Sequence, residues 1–259
     1  MKILPIFAFF LFAGLAAPAF GQKIPDKPYS EWSRDAALKI VSESGWAKIY
    51  TSMESRAGAD RGNLANQGRD TVNRGGGQPG SVARSTGNTP IVIRLHSAPL
   101  VRQATVRLQQ LSAGYDKMSS DQKAAFDAGR KGFLDCAICK DYYVVTIAKY
   151  ANTTDTVTDG IFSAVTLDDI KGQVTLVNDN GEKRELVQFT PSKGSNDPAV
   201  MFFKRLDENG KPLLTPESKE LQVQFSSTFI DWNKRDAGLY PRRFEFPVSK
   251  MMIGGEVIF

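Results

Sequence analysis

The chain has 259 residues, 41% of them hydrophobic and 10% aromatic, enough apolar material for one globular core with extensions or for two small domains. Its net charge of +5 is too mild to argue for nucleic acid as a partner. One histidine and two cysteines exclude a four-ligand Cys/His zinc centre and a histidine-rich metal site, so no metal or cofactor is expected, and any catalytic triad would have to use His96.

The first 21 residues have the pattern of a secretory signal peptide. Met1-Lys2 is a short basic start, Ile3 to Ala17 is an almost unbroken apolar run, and Ala19-x-Gly21 offers a small-x-small exit, so cleavage is expected after Gly21. The run is shorter than the roughly 20 residues a spanning helix needs and contains Pro5. No cysteine lies near the cut to carry a lipid, and no later segment has the length and hydropathy to span a bilayer. The mature chain, at +4 once Lys2 is removed from the +5 total, is expected outside the cytoplasm, secreted or periplasmic, with no transmembrane segment.

Residues 22–54 form an N-terminal helical segment. Pro25 and Pro28 give an extended entry, and Ser30 or Ser33 supplies a helix cap with Asp35 near the positive end. Ala37, Ile40, Val41 and Ser44 follow helical spacing, with Leu38 widening the stripe, which predicts an amphipathic helix over 31–44. Gly45 is its expected stop, and Trp46 is expected to pack back with Trp32. Residues 55–89 differ in composition: Gly, Asn, Arg, Ser and Thr dominate, and no aromatic residue occurs. Such a stretch cannot bury enough apolar area to offset its ordering entropy and reads as a disordered loop. Its five arginines (56, 61, 69, 74 and 84) face two aspartates, Asp60 and Asp70. The RGG-like spacing at Arg74 does not outweigh the export signal, so nucleic acid stays excluded.

Order is expected to return at residue 90 and to continue as one α+β domain to residue 259. Ile91 to Leu95 reads as a strand, and Pro99 opens a helix over 99–112. Ser119-Ser120-Asp121-Gln122 is a capping signal for a second helix over 119–130, ended by Gly129 and Gly132. Asp141 to Ala148 is rich in Tyr, Val and Ile and reads as a central strand. Beyond it the chain is β-rich. Residues 173–177 and 186–189 flank an Asn180-Gly181 turn, 199–206 is a further strand, and 221–225 alternates apolar and polar residues. Residues 244–248 alternate too, with Pro247 marking an edge or bulge, and Gly254-Gly255 is a terminal turn. The expected fold is α+β: a sandwich-like or open-barrel β domain with two packed helices, plus the N-terminal helix and the disordered loop.

Cys136-Ala137-Ile138-Cys139 is the most suggestive chemical motif. In thioredoxin-like proteins C-x-x-C follows a strand and opens a helix, whereas here a helix precedes and a strand follows. Asp135 also sets negative charge beside Cys136 and disfavours its thiolate. In an oxidising compartment the two cysteines are expected to form a local structural disulfide. His96 has no G-x-S-x-G elbow to serve, and Asp155, Asp159, Asp168 and Asp169 lack the spacing of a calcium loop. Trp232, Tyr240, Arg242 and Arg243 lie on or beside a long connection between strands and form the candidate binding patch, the alternative being that the rings cover one end of the core.

The segments Lys27-Pro28-Tyr29-Ser30-Glu31-Trp32, Ala37-Leu38-Lys39-Ile40 and Ser44-Gly45-Trp46-Ala47-Lys48 resemble a group of uncharacterised secreted proteins of acidobacteria. Ile93-Arg94-Leu95-His96-Ser97-Ala98 and Val101-Arg102-Gln103-Ala104 are similar to that group as well. The resemblance implies export and carries no activity and no functional residue. The expectation at this point is an exported, non-catalytic binding or structural module of the envelope or extracellular space, with an envelope protein or polymer as partner. The alternative is a secreted enzyme: a thiol–disulfide exchanger using Cys136 and Cys139, or a hydrolase whose carboxylates meet only in three dimensions.

Overall fold

The computed structural model describes residues 24–50, 90–150, 162–194, 197–226 and 242–259. The segments 1–21 and 55–89, and with them the expected signal peptide and disordered loop, lie outside the described residues, as do Asp155, Asp159, Trp232 and Tyr240.

Ser33 caps helix α1 (Arg34–Ser42) by accepting from the Ala36 N–H, as one of the two expected caps. The helix is shorter than the apolar stripe suggested, because Tyr29–Glu31 forms a separate 3-10 turn and Glu43 ends α1. Ala37, Ile40 and Val41 are buried, whereas Leu38 is 36% exposed and does not widen the buried face. Trp32 and Trp46 both enter the core, with the Trp32 ring edge-on to Tyr29. Gly45 does not stop the helix. It lets the backbone pass against Lys250, whose carbonyl would overlap any Cβ placed there. The four-residue strand β1 (Ala47–Tyr50) follows.

Next come β2 (Ile91–Leu95) and α2 (Pro99–Ser112), both with the bounds read from sequence; Pro99 opens the helix, where its missing N–H costs nothing. The second expected helix is divided. α3 (Ser120–Ala128) begins with a Ser119/Gln122 capping box and ends at Gly129, and α4 (Lys131–Asp135) follows with Gly132 inside it. Then come β3 (Tyr142–Lys149), the short α5 (Leu167–Ile170), β4 (Val174–Asn178), β5 (Lys183–Thr190), β6 (Ala199–Lys204), β7 (Glu220–Phe225) and β8 (Arg243–Pro247). The β4–β5 turn bends at Gly181, φ +81°, and Asn178 Oδ1 accepts from the Asn180 and Glu182 N–H groups to hold it. A small hairpin, β9 (Met252–Ile253) with β10 (Glu256–Val257), turns at Gly254 and Gly255 as expected.

Strands β1 to β8 form one antiparallel sheet in the order β1-β2-β3-β6-β5-β4-β7-β8, nearly closed into a barrel. The fold is therefore α+β and β-rich, and the open-barrel form of the expectation holds rather than the sandwich. The register keeps one face continuous: Ile93↔Ile147, Val145↔Met201, Tyr143↔Phe203, Leu186↔Phe203, Leu176↔Val223 and Val223↔Phe244 are successive partners. These residues, with Val101 and Ala104 of α2 and Ile40 and Val41 of α1, make one buried core. A bulge between Leu186 and Gln188 shifts the β5 register and helps the sheet curl. Among the described residues no helix is long and apolar enough to cross a membrane.

Candidate functional site

Barrel closure fails between β1 and β8, and the failure has a clear geometry. With eight antiparallel strands the two edges run in opposite directions, so they could pair as ordinary antiparallel neighbours. At one end they are drawn together: Gly45 lies against Lys250, and the Trp46 indole N–H donates to the Ile258 carbonyl. Toward Tyr50 and Arg242 a cleft of about 730 Å3 opens, lined by Lys48, Ile49, Tyr50, Gln224, Phe225 and Arg242 to Glu245. Lys48 and Tyr50 share the inward face with their partners Ile93 and Ile91. Their side chains reach across the seam, where the Lys48 ammonium lies 5.7 Å from the centre of the Phe246 ring and Tyr50 stands edge-on to Phe244 at 6.2 Å.

The backbone on both sides of the cleft is oriented by the ladders behind it. The Phe225 N–H donates to Arg242 O at 2.8 Å, so residues 242, 244 and 246 bond toward β7. Arg243 and Glu245 therefore turn their N–H and C=O groups toward the seam. On the other side the Leu95 N–H donates to Trp46 O at 2.8 Å, which aims 46, 48 and 50 at β2 and leaves Ile49 facing the seam.

Among the described residues lining the cleft, Lys48, Arg242 and Arg243 stand with one carboxylate, Glu245, which pairs with Arg243 at 2.7 Å. Burial lowers the Lys48 pKa, Lys250 nearby lowers it further, and Glu245 and Glu220 oppose both. Of the four residues read as a binding patch, Arg242 and Arg243 are thus at the mouth, while Trp232 and Tyr240 fall outside the described residues. Sequence reading missed Lys48 and Tyr50, because a strand with Lys and Tyr inward lacks the apolar alternation that marks a half-buried strand.

Cys136 and Cys139 are disulfide-bonded, as expected, and cover Val144 and Phe202 on the outer face of β3 and β6. Cys136 takes a left-handed conformation, φ +42°, between α4 and the following 3-10 turn. Asp135 is engaged by Lys131 at 2.6 Å. The buried Arg102 guanidinium donates to the carbonyls of Leu134, His96 and Ser97 and lies 3.6 Å from Cys139 Sγ. Arg205 donates to Cys139 O and Phe259 O and lies over both the Tyr143 and Phe259 rings, which touch each other. His96 stands edge-on to Phe133 at 5.0 Å; burial first, then Arg102 and Arg94, push its pKa down to about 4. Thr166 caps α5 by accepting from the Asp169 N–H, and the Asp169 carboxylate accepts from the Thr166 N–H in return. Among the described residues no group of three or more His, Cys, Asp and Glu is placed to hold a metal. No family model, no curated protein and no solved structure matches this chain.

Proposed function

We propose that the protein is an exported, non-catalytic binding module of the envelope or extracellular space that engages an envelope protein or polymer through the mouth of the β1–β8 seam. The observation that carries this reading is the cleft itself. It joins two strand edges, aromatic walls from Tyr50, Phe225 and Phe244, and an excess of cations, which together offer a partner shape, apolar area and charge. Export is supported by the basic-then-apolar start of the chain and by the paired cysteines, since such pairs persist in oxidising compartments. The test is photo-crosslinking in intact cells from a reactive residue at Arg242, with a control at Leu38 on the exposed side of α1, followed by mass spectrometry. A reproducible envelope conjugate from position 242 and none from 38 is expected. No conjugate from 242 counts against the module.

A second reading, thiol–disulfide exchange, is favoured by one contact. On reduction the Arg102 guanidinium beside Cys139 Sγ would stabilise a thiolate there. Both cysteines are over nine-tenths buried, which hinders attack by a protein thiol. Equilibration with dithiol redox buffers separates the readings: an exchanger is half-reduced under mildly reducing conditions and loses activity in Cys136→Ser, whereas a structural pair stays oxidised.

A further inference from the structure

The cleft has a feature that a general binding surface does not need: its two long walls are strand edges in usable register. Tyr50 lies beside Phe244 and Lys48 beside Phe246, which sets Ile49 opposite Glu245. Ile49 and Glu245 are among the residues whose backbone groups the β2 and β7 ladders turn into the seam. No ladder joins β1 to β8. Pro247 lacks an N–H and so limits pairing along β8 toward the closed end, while Arg243 and Glu245 keep theirs at the open end. A strand edge without a ladder partner is a template for another chain.

We propose that the seam mouth receives an extended acidic peptide segment of a partner protein, added as a strand along the edge of β8. The proposal rests on the seam being the binding site and goes further by naming the mode and the chemistry. Backbone hydrogen bonds to Arg243 and Glu245 supply sequence-independent affinity, and pockets for alternate side chains supply specificity. Inward-facing residues of the added strand meet Tyr50, Phe244 and Phe225, so apolar side chains fit there. Among the described lining residues Lys48, Arg242 and Arg243 outnumber Glu245, so carboxylates fit beside them and a basic peptide is repelled. A strand inserted between two antiparallel edges runs antiparallel to only one of them, and β8 presents the longer row of seam-facing groups.

The experiment is fluorescence anisotropy on the full chain with three labelled synthetic peptides. One alternates Glu with Val, one alternates Lys with Val, and one repeats the Glu/Val sequence with every second backbone nitrogen methylated. The Glu/Val peptide is expected to bind, and both others to bind about tenfold or more weakly. Arg242→Glu with Arg243→Glu is expected to reverse the preference between the Glu and Lys peptides. Glu245→Pro removes a seam-facing N–H without removing a β7 bond and is expected to abolish binding, while Glu245→Gln retains it. Equal binding of the methylated and unmethylated peptides overturns strand addition, and this readout needs no variant to fold. Binding of polygalacturonate in place of either peptide overturns the peptide assignment. An envelope conjugate from position 242 without peptide binding sinks this inference alone, whereas absence of any conjugate sinks the broader binding reading.

Discussion

His96 is the only histidine in the chain, which makes its titration directly readable. Its imidazole is half-buried beside Phe133, with Arg102 and Arg94 adding positive charge nearby, so the native state holds it neutral down to about pH 4. The unfolded chain protonates it near 6.5. Between these values the unfolded state binds more protons, so stability is fully present above about pH 6.5 and is lost as pH falls toward 4. The interval from 6.5 to about 4 corresponds to about 3 kcal/mol at most. The measurement is an NMR titration of the single imidazole beside denaturant melts at each pH. His96→Gln is expected to flatten the slope over that window, and an imidazole titrating near 6.5 in the folded protein would disprove the account. The same neighbourhood shows why single residues were hard to read. Arg102 and Arg107 are charged yet buried, because each joins a nearby acceptor to a distant one: Ser97 O and Leu134 O for Arg102, and Asp116 and Trp32 O for Arg107. Hydropathy assigns both to the surface. Only the folded chain brings those acceptors to them.

At the scale of elements, local signals worked where they were chemically specific. Pro99 marked the start of α2, the Ser119/Gln122 box marked α3, and Gly181 marked the β4–β5 turn. Signals that rested on composition alone were weaker. Gly132, a helix stop by composition, sits inside α4, and Leu38, which widens the apolar stripe in sequence, is exposed. Gly45 shows the same ambiguity with a larger consequence. Its role is close approach, since a Cβ there would overlap the backbone carbonyl of Lys250 and push apart the segments flanking the closed end of the seam. Gly45→Ala is expected to destabilise the fold by about 2–3 kcal/mol, in the range of overpacked sites. Its signature is a lower Tm with faster hydrogen exchange at the Leu95 amide, which donates to Trp46 O beside Gly45. An unchanged Tm would show that the two segments separate without loss.

For the whole molecule, the order β1-β2-β3-β6-β5-β4-β7-β8 makes the first and last strands of the sheet face each other across the cleft. Tyr50 and Ile91 are direct partners across β1 and β2, so the residues between them join two positions that already touch. Replacing residues 52–89 with a short Asn-Gly turn is therefore expected to preserve the fold. Shortening the connection from about 40 residues to about 4 adds roughly 2 kcal/mol through loop-closure entropy. Circular dichroism and a thermal melt check this: an unchanged spectrum with a higher Tm is expected, and loss of cooperative unfolding would show that 52–89 contribute to the core.

By itself the sequence determined most of the element boundaries after residue 90, the Cys136–Cys139 pairing and the β-rich α+β class. These follow from caps, turn glycines and periods of 2 or 3.6 residues, all of which are local. The tertiary structure decided the strand order, the choice of a nearly closed barrel over a sandwich, the membership of β1 in the sheet, and the seam where Lys48 and Tyr50 meet Arg242 and Phe244. Those features depend on which edges meet after the chain has curled, and strand pairing between distant segments leaves no periodic trace in the residues that make it.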